Sequence, residues 1–156
     1  MTVFLVRHGK AGSRRDWKAA DELRPLSKPG RRQADALADT LTAAIALPGL
    51  NRIASSPFVR CRETVTPLAE RRGLTVELSD SLAEGTPLVE ALRLVEKVAD
   101  QETVLCSHGD VIGNLLAHFA RHGVRLDDDR IEKCSTWALD IEAGAVVAAR
   151  YLPPPA

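Results

Sequence analysis

Short apolar runs alternate with longer amphipathic segments along most of this 156-residue chain. Four of the runs are apolar or β-branched over three or four positions, as strands are: Val3–Val6, Arg52–Ala54, Thr75–Leu78 and Thr103–Cys106. The first and the last are apolar at almost every position, which is typical of parallel strands buried on both faces. Strands that alternate with helices predict an α/β fold, a three-layer sandwich with a mostly parallel central sheet flanked by helices.

Two of the intervening segments carry a clear apolar stripe at helical spacing. The first stripe follows the start signals Ser27 and Pro29 and consists of Ala34, Leu37, Ala38, Leu41 and Ile45. The second lies late in the chain, is predicted to end at Gly123, and consists of Val111, Ile112, Leu115, Leu116 and Phe119. Both stripes predict helices that pack one face on the sheet.

Two further helices are predicted from their start signals. Ser56 is suited to cap a helix whose first position is Pro57. Thr86-Pro87 repeats that start before a stripe of Leu88, Leu92, Val95 and Ala99.

The C-terminal part is predicted to close the sheet with an antiparallel hairpin. Residues 136–141 and 146–151 alternate as strands do and flank Glu142-Ala143-Gly144-Ala145. The chain has no internal repeat and no Gly/Ser linker, so residues 1–152 are expected to form a single domain. The proline-rich segment 153–156 is expected to be a disordered or frayed tail.

Charge and cysteine content narrow the partners and the compartment. Lys plus Arg and Asp plus Glu both number 21, which argues against nucleic acid or an anionic membrane surface as the main partner. The apolar N-terminal run is too short for a signal sequence, and no stretch has membrane-spanning length. Cys61, Cys106 and Cys134 are widely spaced without a C-x-x-C pair. They predict core residues in a reducing cytoplasm, not a disulfide framework or a zinc site.

Histidine, arginine and glycine follow three of the predicted strands. The first strand runs into Arg7-His8-Gly9, and the fourth runs into Ser107-His108-Gly109. The second ends at Ser55-Ser56 and opens a helix whose first turn carries Arg60. Because ligands bind beyond the carboxyl ends of strands in such sheets, these side chains are expected to converge on one edge.

This set of residues suits a phosphoryl group. Arginine keeps its proton, and its planar fork matches pairs of phosphate oxygens. The exposed amides at the helix start after Gly109 add donors for an anion. Histidine attacks phosphorus only when one ring nitrogen is free, and nearby arginines favour that neutral state by lowering its pKa. The set predicts phosphoryl transfer by positioning and charge stabilisation, with no metal and no cofactor.

The leaving oxygen needs a proton, and Glu84 is the candidate donor. It follows the third predicted strand and precedes a helix, so it is expected at the same edge. Spacing alone leaves open that Glu84 is an ordinary solvated loop carboxylate. Glu77, Asp80 and Asp110 are rivals for the acid role.

Other phosphate and metal chemistries fit the sequence less well. His8, His108 and Asp110 include metal-ligand types, but two arginines at the same edge would repel a cation. Gly9-Lys10 lacks the upstream glycine and the following Ser/Thr of a P-loop. No cysteine is followed six residues later by arginine, as the loop of a cysteine-dependent phosphatase requires.

Four basic residues are predicted on loops near this edge: Lys10, Arg14, Arg15 and Arg24. One interpretation is an ordinary solvated charged loop. The other is that some of them extend the positive field of the pocket toward a polyanionic or protein-borne phosphate.

Three segments in order resemble the histidine phosphatase superfamily, which includes the cofactor-dependent phosphoglycerate mutases. Leu5–Gly9 is similar to its Arg-His-Gly signature, Ser56–Thr64 to its second-arginine segment, and Ser107–Gly109 to its second-histidine segment. The similarity runs through nearly the whole chain. The short length, with Arg24–Ser27 and Ser135–Trp137, is most similar to the SixA-type branch. The chain also resembles the phosphatase modules that follow Nudix hydrolases in some bacterial proteins.

The resemblance implies that His8 is the phosphorylated nucleophile, that Arg7, Arg60 and His108 bind phosphate, and that Glu84 occupies the acid position. It implies a phosphatase acting on a phosphorylated small molecule or a phosphohistidine protein. Full mutases carry insertions for which this chain has no room, so hydrolysis is favoured over transfer. Mutase-type transfer and a catalytically idle phosphate-binding module stay open as alternatives.

Overall fold

A computed structural model describes residues 1–45 and 49–155 of the chain. Within these residues, seven strands form one sheet: β1 (Thr2–Arg7), β2 (Arg52–Ser55), β3 (Val76–Leu78), β4 (Thr103–Ser107), β5 (Arg125–Leu126), β6 (Thr136–Glu142) and β7 (Ala145–Leu152). The strand order is β3-β2-β4-β1-β6-β7-β5. Strands β1 to β4 are mutually parallel, so their carboxyl ends lie at the same edge.

Four α-helices connect these strands: α1 (Lys28–Ala44), α2 (Val59–Arg72), α3 (Leu88–Lys97) and α4 (Gly109–Arg121). Alternate residues of β1 face opposite layers, because successive strand side chains point to opposite faces. Val3 and Leu5 pack in one buried cluster with α3 and α4, and Phe4 and Val6 pack in another with α1 and α2. The predicted three-layer α/β sandwich with a mostly parallel sheet is confirmed.

The helix starts differ in part from the prediction. Ser27 caps α1 as expected, since its side chain accepts a hydrogen bond from the Gly30 amide. The predicted start of α2 at Pro57 is wrong, because the helix begins at Val59 without a side-chain cap. The Ser56 hydroxyl is instead hydrogen-bonded to the Phe58 amide and lies 2.9 Å from a ring nitrogen of His108.

The boundaries of two other helices also move. Pro87 precedes α3, and the Thr86 hydroxyl donates to the carbonyl of Asp80 instead of capping the helix. Helix α4 ends at Arg121, two residues before Gly123, which adopts a positive φ of 88°. Helix ends fray over one or two residues, so such shifts leave the packed face unchanged.

The predicted closing hairpin is present as β6 and β7, which pair antiparallel. Its turn residues Ala143 and Gly144 both have positive φ, 50° and 78°, as the tight two-residue hairpin turn requires. Strand β5 was not predicted. It has two residues and pairs with β7, which is too short a run to produce a periodic signal.

The C-terminal segment lies against α1. Pro154 and Pro155 are half-buried, and Pro155 borders a small surface pocket with Pro29 and Ala36. Ala156, the last residue of the predicted tail, lies outside the described residues. No helix in the described part of the chain is long and apolar enough to cross a membrane.

Candidate active site

A cleft of about 730 Å³ opens at the carboxyl ends of β1 and β4. Neighbouring strands in the sheet supply its floor, because β1 pairs directly with β4. Its lining residues come from these strand ends, from the start of α4 and from the loops after β1, after β3 and before β6: Arg7, His8, Ala11, Gly12, Ser13, Arg14, Arg24, Glu84, His108, Gly109, Asp110, Ile131 and Lys133. All the predicted site residues except Arg60 therefore line this cleft.

His8 is buried, with 6% of its surface exposed, and its ring is oriented by its neighbour. Its Nδ1 lies 2.8 Å from the carbonyl oxygen of Gly9. A carbonyl oxygen only accepts, so Nδ1 carries the hydrogen and Nε2 keeps its lone pair. Burial lowers the pKa of His8 to about 3; the Gly9 carbonyl opposes this, and the electrostatic influence of His108, Arg60 and Arg7 lowers the pKa further. His8 is thus a neutral imidazole with a free nitrogen at neutral pH.

We expect His8 to remain neutral between about pH 5 and pH 8, because a depressed pKa keeps the proton off the ring until the solution is far more acidic. NMR of histidine labelled with nitrogen-15 measures this directly. Its ring nitrogens are expected to show the Nδ1–H tautomer with no titration step in this range. A midpoint near the ordinary 6.5 would contradict the prediction.

His108 faces His8 across the cleft floor, with ring centroids 5.4 Å apart. The Ser56 hydroxyl accepts from the Phe58 amide and can donate its own hydrogen to Nε2 of His108, 2.9 Å away. In that tautomer, neutral His108 carries its hydrogen on Nδ1. The buried Nδ1 has no hydrogen-bond partner among the described residues. When it carries the hydrogen, Nδ1 is a donor available to an anion in the cleft.

Arg7 is held between the cleft and the loop before β6. Its Nη1 donates to the carbonyl of Ile131 at 2.5 Å, whereas its buried Nε has no partner within the described residues. A Cβ on Gly109 would stand 3.1 Å from the Arg7 Cζ, so glycine lets the guanidinium lie against the start of α4. Burial lowers the pKa of Arg7 below its ordinary value, and Asp110 opposes that shift. A guanidinium keeps its proton in proteins, so the side chain is charged.

Arg60, in the first turn of α2, lies directly behind the cleft wall with 1% of its surface exposed. Its Nη1 and Nη2 donate to the backbone carbonyl and the carboxylate of Asp21, at 2.9 and 3.0 Å. Nη2 also lies 3.5 Å from Oε1 of Glu84. Its charge acts on His8, as the lowered pKa of that ring shows.

Glu84 reaches the predicted edge from the loop after β3. Its Oε1 lies 3.4 Å from Nη2 of Arg14 and 3.9 Å from Nδ1 of His108. Of its rivals, Asp110 lines the cleft but accepts the Gly85 amide at 2.8 Å, and so holds the Glu84 loop to α4. Glu77 pairs with Arg52 at 3.0 Å on the surface of the sheet edge. The carboxylate best placed to reach a bound phosphoryl group is therefore Glu84.

The second-arginine segment also supports the loop after β1. The Gly9 amide donates to the Thr64 hydroxyl at 2.9 Å, and this hydroxyl donates to the Arg60 carbonyl at 2.7 Å. Gly30 is required for the same loop, because a Cβ there would stand 1.9 Å from the carbonyl oxygen of Lys10. Helix α1 and helix α2 thus fix the backbone on which His8 sits.

The structure adds residues that sequence reasoning missed. Asp21 holds Arg60, Ser56 contacts His108, and Lys133 lines the cleft. Ser56 directly follows a predicted strand, as His8 follows β1, so its place at a strand end is a signal for the site as well as for a helix cap. Asp21 and Lys133 lie on loops without any periodic pattern, so nothing in their spacing marks them.

Two of the four basic loop residues line the cleft, and two do not. Arg14 and Arg24 line the cleft, whereas Lys10 and Arg15 are not among its lining residues within the described ranges. Arg14 is largely exposed, and Arg24 is buried and donates to Asp21 at 3.0 Å. Burial and the charges of Arg7 and Arg24 lower the pKa of Lys133, which reflects a positive field around the cleft.

The three cysteines are buried, as predicted, and are free thiols. The Sγ of Cys61 lies 3.5 Å from Nε2 of His108. Residues 1–45 and 49–155 contain no group of three His, Cys, Asp or Glu side chains arranged to hold a metal ion.

Comparison with known families agrees with this geometry. Residues 3–93, more than half of the chain, match the family described as the histidine phosphatase superfamily, branch 1. The chain belongs to the histidine phosphatase superfamily. The matched residues include β1 with His8, the second-arginine segment and Glu84. The family predicted from the sequence is confirmed.

Two curated relatives of this histidine phosphatase are informative. The 8-oxo-(d)GTP phosphatase of Mycolicibacterium smegmatis is 37% identical over 99% of this chain and 48% of its own length. The chain thus spans about half of that relative. The phosphohistidine phosphatase SixA homolog of Haemophilus influenzae is 26% identical over 75% of this chain and 76% of its own length.

Solved structures show the same fold. The protein histidine phosphatase SixA complexed with tungstate superposes with a TM-score of 0.77 at 18% identity, covering 100% of this chain and 97% of that one. A mycobacterial glucosyl-3-phosphoglycerate phosphatase superposes with a TM-score of 0.72 at 17% identity, covering 99% of both chains. The chain therefore shares the fold of these solved structures.

Proposed function

We propose that this histidine phosphatase is a metal-independent phosphomonoesterase or phosphohistidine phosphatase that works through a phosphohistidine on His8. One observation carries the proposal. The hydrogen bond from Nδ1 of His8 to the Gly9 carbonyl leaves Nε2 unprotonated inside a cleft lined by cations. Binding alone needs no such nitrogen, so catalysis is favoured over an idle phosphate-binding module.

In the first step, Nε2 of His8 attacks phosphorus in line with the leaving oxygen. The P–N bond forms as the P–O bond breaks, and the negative charge spreads over the three remaining oxygens. Arg7, Arg60 and the Nδ1–H of His108 stabilise that charge, because donors that the fold already holds in place need no reorganisation. Glu84 gives its proton to the leaving oxygen.

In the second step, water replaces the leaving group. Glu84, now a carboxylate, accepts a proton from this water as the oxygen attacks phosphorus. The P–N bond breaks, the pair of electrons returns to Nε2 of His8, and inorganic phosphate leaves. Mutase-type transfer would require the phosphoenzyme to be guarded from water, and the cleft opens directly to solvent beside the exposed Arg14 and Lys133.

Glu84→Gln is expected to slow substrates with poor leaving groups by about 10²–10³-fold, because a glutamine cannot supply the proton that an alkoxide needs. Activated aryl phosphates are expected to lose less than about tenfold, since an aryloxide leaves without full protonation. Steady-state kinetics on an alkyl and a nitrophenyl phosphate measure the difference. Glu90→Gln, an exposed carboxylate in the first turn of α3, is the matched control. Equal losses on both substrates would move the acid role away from Glu84.

The substrate class follows from the charge of the cleft. Four cationic side chains line it, Arg7, Arg14, Arg24 and Lys133, against the two carboxylates Glu84 and Asp110. This balance favours a substrate with more negative charge than one phosphate monoester. The names of the relatives suggest two such classes, a phosphorylated nucleotide and a phosphohistidine protein. A phosphohistidine substrate makes Glu84 less important, because a protonated imidazole leaves easily.

A screen of the purified protein tests the proposal. Phosphorylated metabolites, nucleotides and a phosphohistidine protein are offered with chelator present and no added metal, and free phosphate and isomerised products are measured. Chelator-resistant phosphate release that disappears in His8→Ala is expected. The best substrate selects between the two classes, and isomerised product would indicate a mutase. Absence of turnover with retained phosphate binding would favour the idle module. A cytoplasmic setting remains part of the proposal, in keeping with three free thiols.

A further inference from the structure

The partner of Arg60 is an acidic residue that belongs to a distant loop. Asp21 lies 39 positions earlier, in a short 3-10 turn at Asp21–Leu23, and receives two hydrogen bonds from this guanidinium. Burying a guanidinium without a partner is costly, so a carboxylate beside it stabilises its charge. The carboxylate of Asp21 therefore stabilises the buried charge of Arg60.

A guanidinium has five N–H groups arranged on two usable edges. Asp21 takes the edge formed by Nη1 and Nη2, at 2.9 and 3.0 Å. The other edge is formed by Nε and Nη2. Its Nε is buried and has no hydrogen-bond partner in the part of the chain that the structure describes, and its Nη2 lies 3.5 Å from Glu84 of the cleft. Asp21 holds the Nη1/Nη2 edge, and only Nε is left without a partner among the described residues.

Asp21 is itself fixed from the side opposite to Arg60. Nε of Arg24 donates to its Oδ1 at 3.0 Å, and Nη1 of Arg24 donates to the Gly12 carbonyl in the cleft loop. Burial raises the pKa of Asp21, but the hydrogen bond from Arg24 and the charge of Arg60 together bring it below its ordinary value. Asp21 is therefore a carboxylate at neutral pH and has no proton to give to a leaving group.

We propose that Asp21 is a positioning residue for phosphoryl transfer, which holds the Nη edge of Arg60 so that the Nε edge faces the phosphoryl group. The inference rests on the proposed function, because it assigns a role toward the same phosphoryl group. It acts through Arg60 and not by contact with substrate. The opposite reading, that Asp21 competes with phosphate for Arg60, predicts that removing the carboxylate raises activity.

The test compares Asp21→Ala, Asp21→Asn and the matched control Glu22→Ala, an exposed acidic neighbour in the same turn. Nitrophenyl phosphate hydrolysis without metal gives kcat and KM, and orthovanadate, which adopts the five-coordinate geometry of the transition state, gives an inhibition constant. Asp21→Ala is expected to lower kcat/KM by about 10–100-fold, mainly in kcat, as loss of a supporting residue does. Vanadate inhibition is expected to weaken with it.

A double-mutant cycle separates positioning from general stabilisation. In an Arg60→Ala background, Asp21→Ala is expected to cause less than about a twofold further loss, because its partner is already gone. Multiplicative losses would overturn the proposal. Both variants keep the backbone carbonyl that accepts from Arg60, but Asp21→Asn also keeps one side-chain oxygen, so it is expected to retain more kcat than Asp21→Ala. If the alanine variant does not fold, the asparagine variant carries the same cycle.

The remaining outcomes are distinct. Wild-type activity that is lost in His8→Ala but unchanged in Asp21→Ala would overturn the positioning role while leaving the proposed function intact. A lower KM or a higher kcat in Asp21→Ala would establish competition instead. A wild-type protein without phosphate release from any substrate would remove the proposed function, and the inference would fall with it.

Discussion

His8→Ala is expected to lower kcat for phosphate release by at least about 10⁴-fold, the scale on which removal of a catalytic nucleophile acts. In the proposed mechanism, the neutral ring, whose Nδ1 is hydrogen-bonded to the Gly9 carbonyl, offers the free nitrogen that attacks phosphorus. Alanine removes this nitrogen and leaves only the cations that bind the phosphate. KM is expected to change much less than kcat, because Arg7 and His108 remain in place.

The intermediate provides a second readout. A phosphohistidine is a phosphoramidate, which acid cleaves and alkali leaves intact. Rapid quenching of wild-type protein with radiolabelled substrate is expected to trap label with this stability, and His8→Ala is expected to trap none. The control is His122→Ala, because His122 is an exposed histidine at the end of α4 whose Nδ1 contacts the His118 carbonyl. Turnover in His8→Ala within tenfold of wild type would refute the mechanism.

Arg60→Ala is expected to lower kcat by about 10²–10³-fold, the cost of removing one preorganised donor from a site where charge develops. Its buried Nε has no partner among the described residues, and its charge helps to keep His8 neutral. Both effects disappear with the guanidinium. Arg60→Lys is expected to restore little, because an ammonium reproduces neither the fork to Asp21 nor the second edge.

Arg62→Ala is the matched control for Arg60. Arg62 lies two residues further along α2 and is exposed to solvent, so its loss is expected to leave kcat within about twofold, as surface substitutions usually do. Thermal unfolding followed by circular dichroism shows whether each variant is folded. Added guanidinium ion is expected to recover part of the Arg60→Ala activity, which a merely destabilised protein would not show. An unchanged kcat in folded Arg60→Ala would contradict the role.

Much of the fold was predictable because burial produces a periodic signal. The stripe from Ala34 to Leu41 and the apolar runs of β1 and β4 identify elements that pack on both faces of a sheet. Element ends were less predictable. Ser56 and Pro57 satisfy the rules for a helix start, yet the Ser56 hydroxyl is hydrogen-bonded to His108, a residue 52 positions away.

The candidate site was predictable to the extent that its residues follow strands. Arg7, His8 and His108 come directly after or at the end of apolar runs, and parallel strands bring their carboxyl ends together. The places of Asp21 and Lys133 at the site were not predictable from spacing, because both residues lie outside the strands and α-helices, where neighbouring residues do not share a face. A loop residue has no period, so its direction depends on the elements that surround it.

The sequence by itself determined the class of fold and the family, because apolar periodicity and the residue types at strand ends are local properties. Only the tertiary structure decided that β4 lies between β1 and β2, that Nδ1 of His8 is taken by Gly9, and that Asp21 holds Arg60. These arrangements depend on the packing of segments that are distant along the chain. Such packing leaves no pattern in either segment alone.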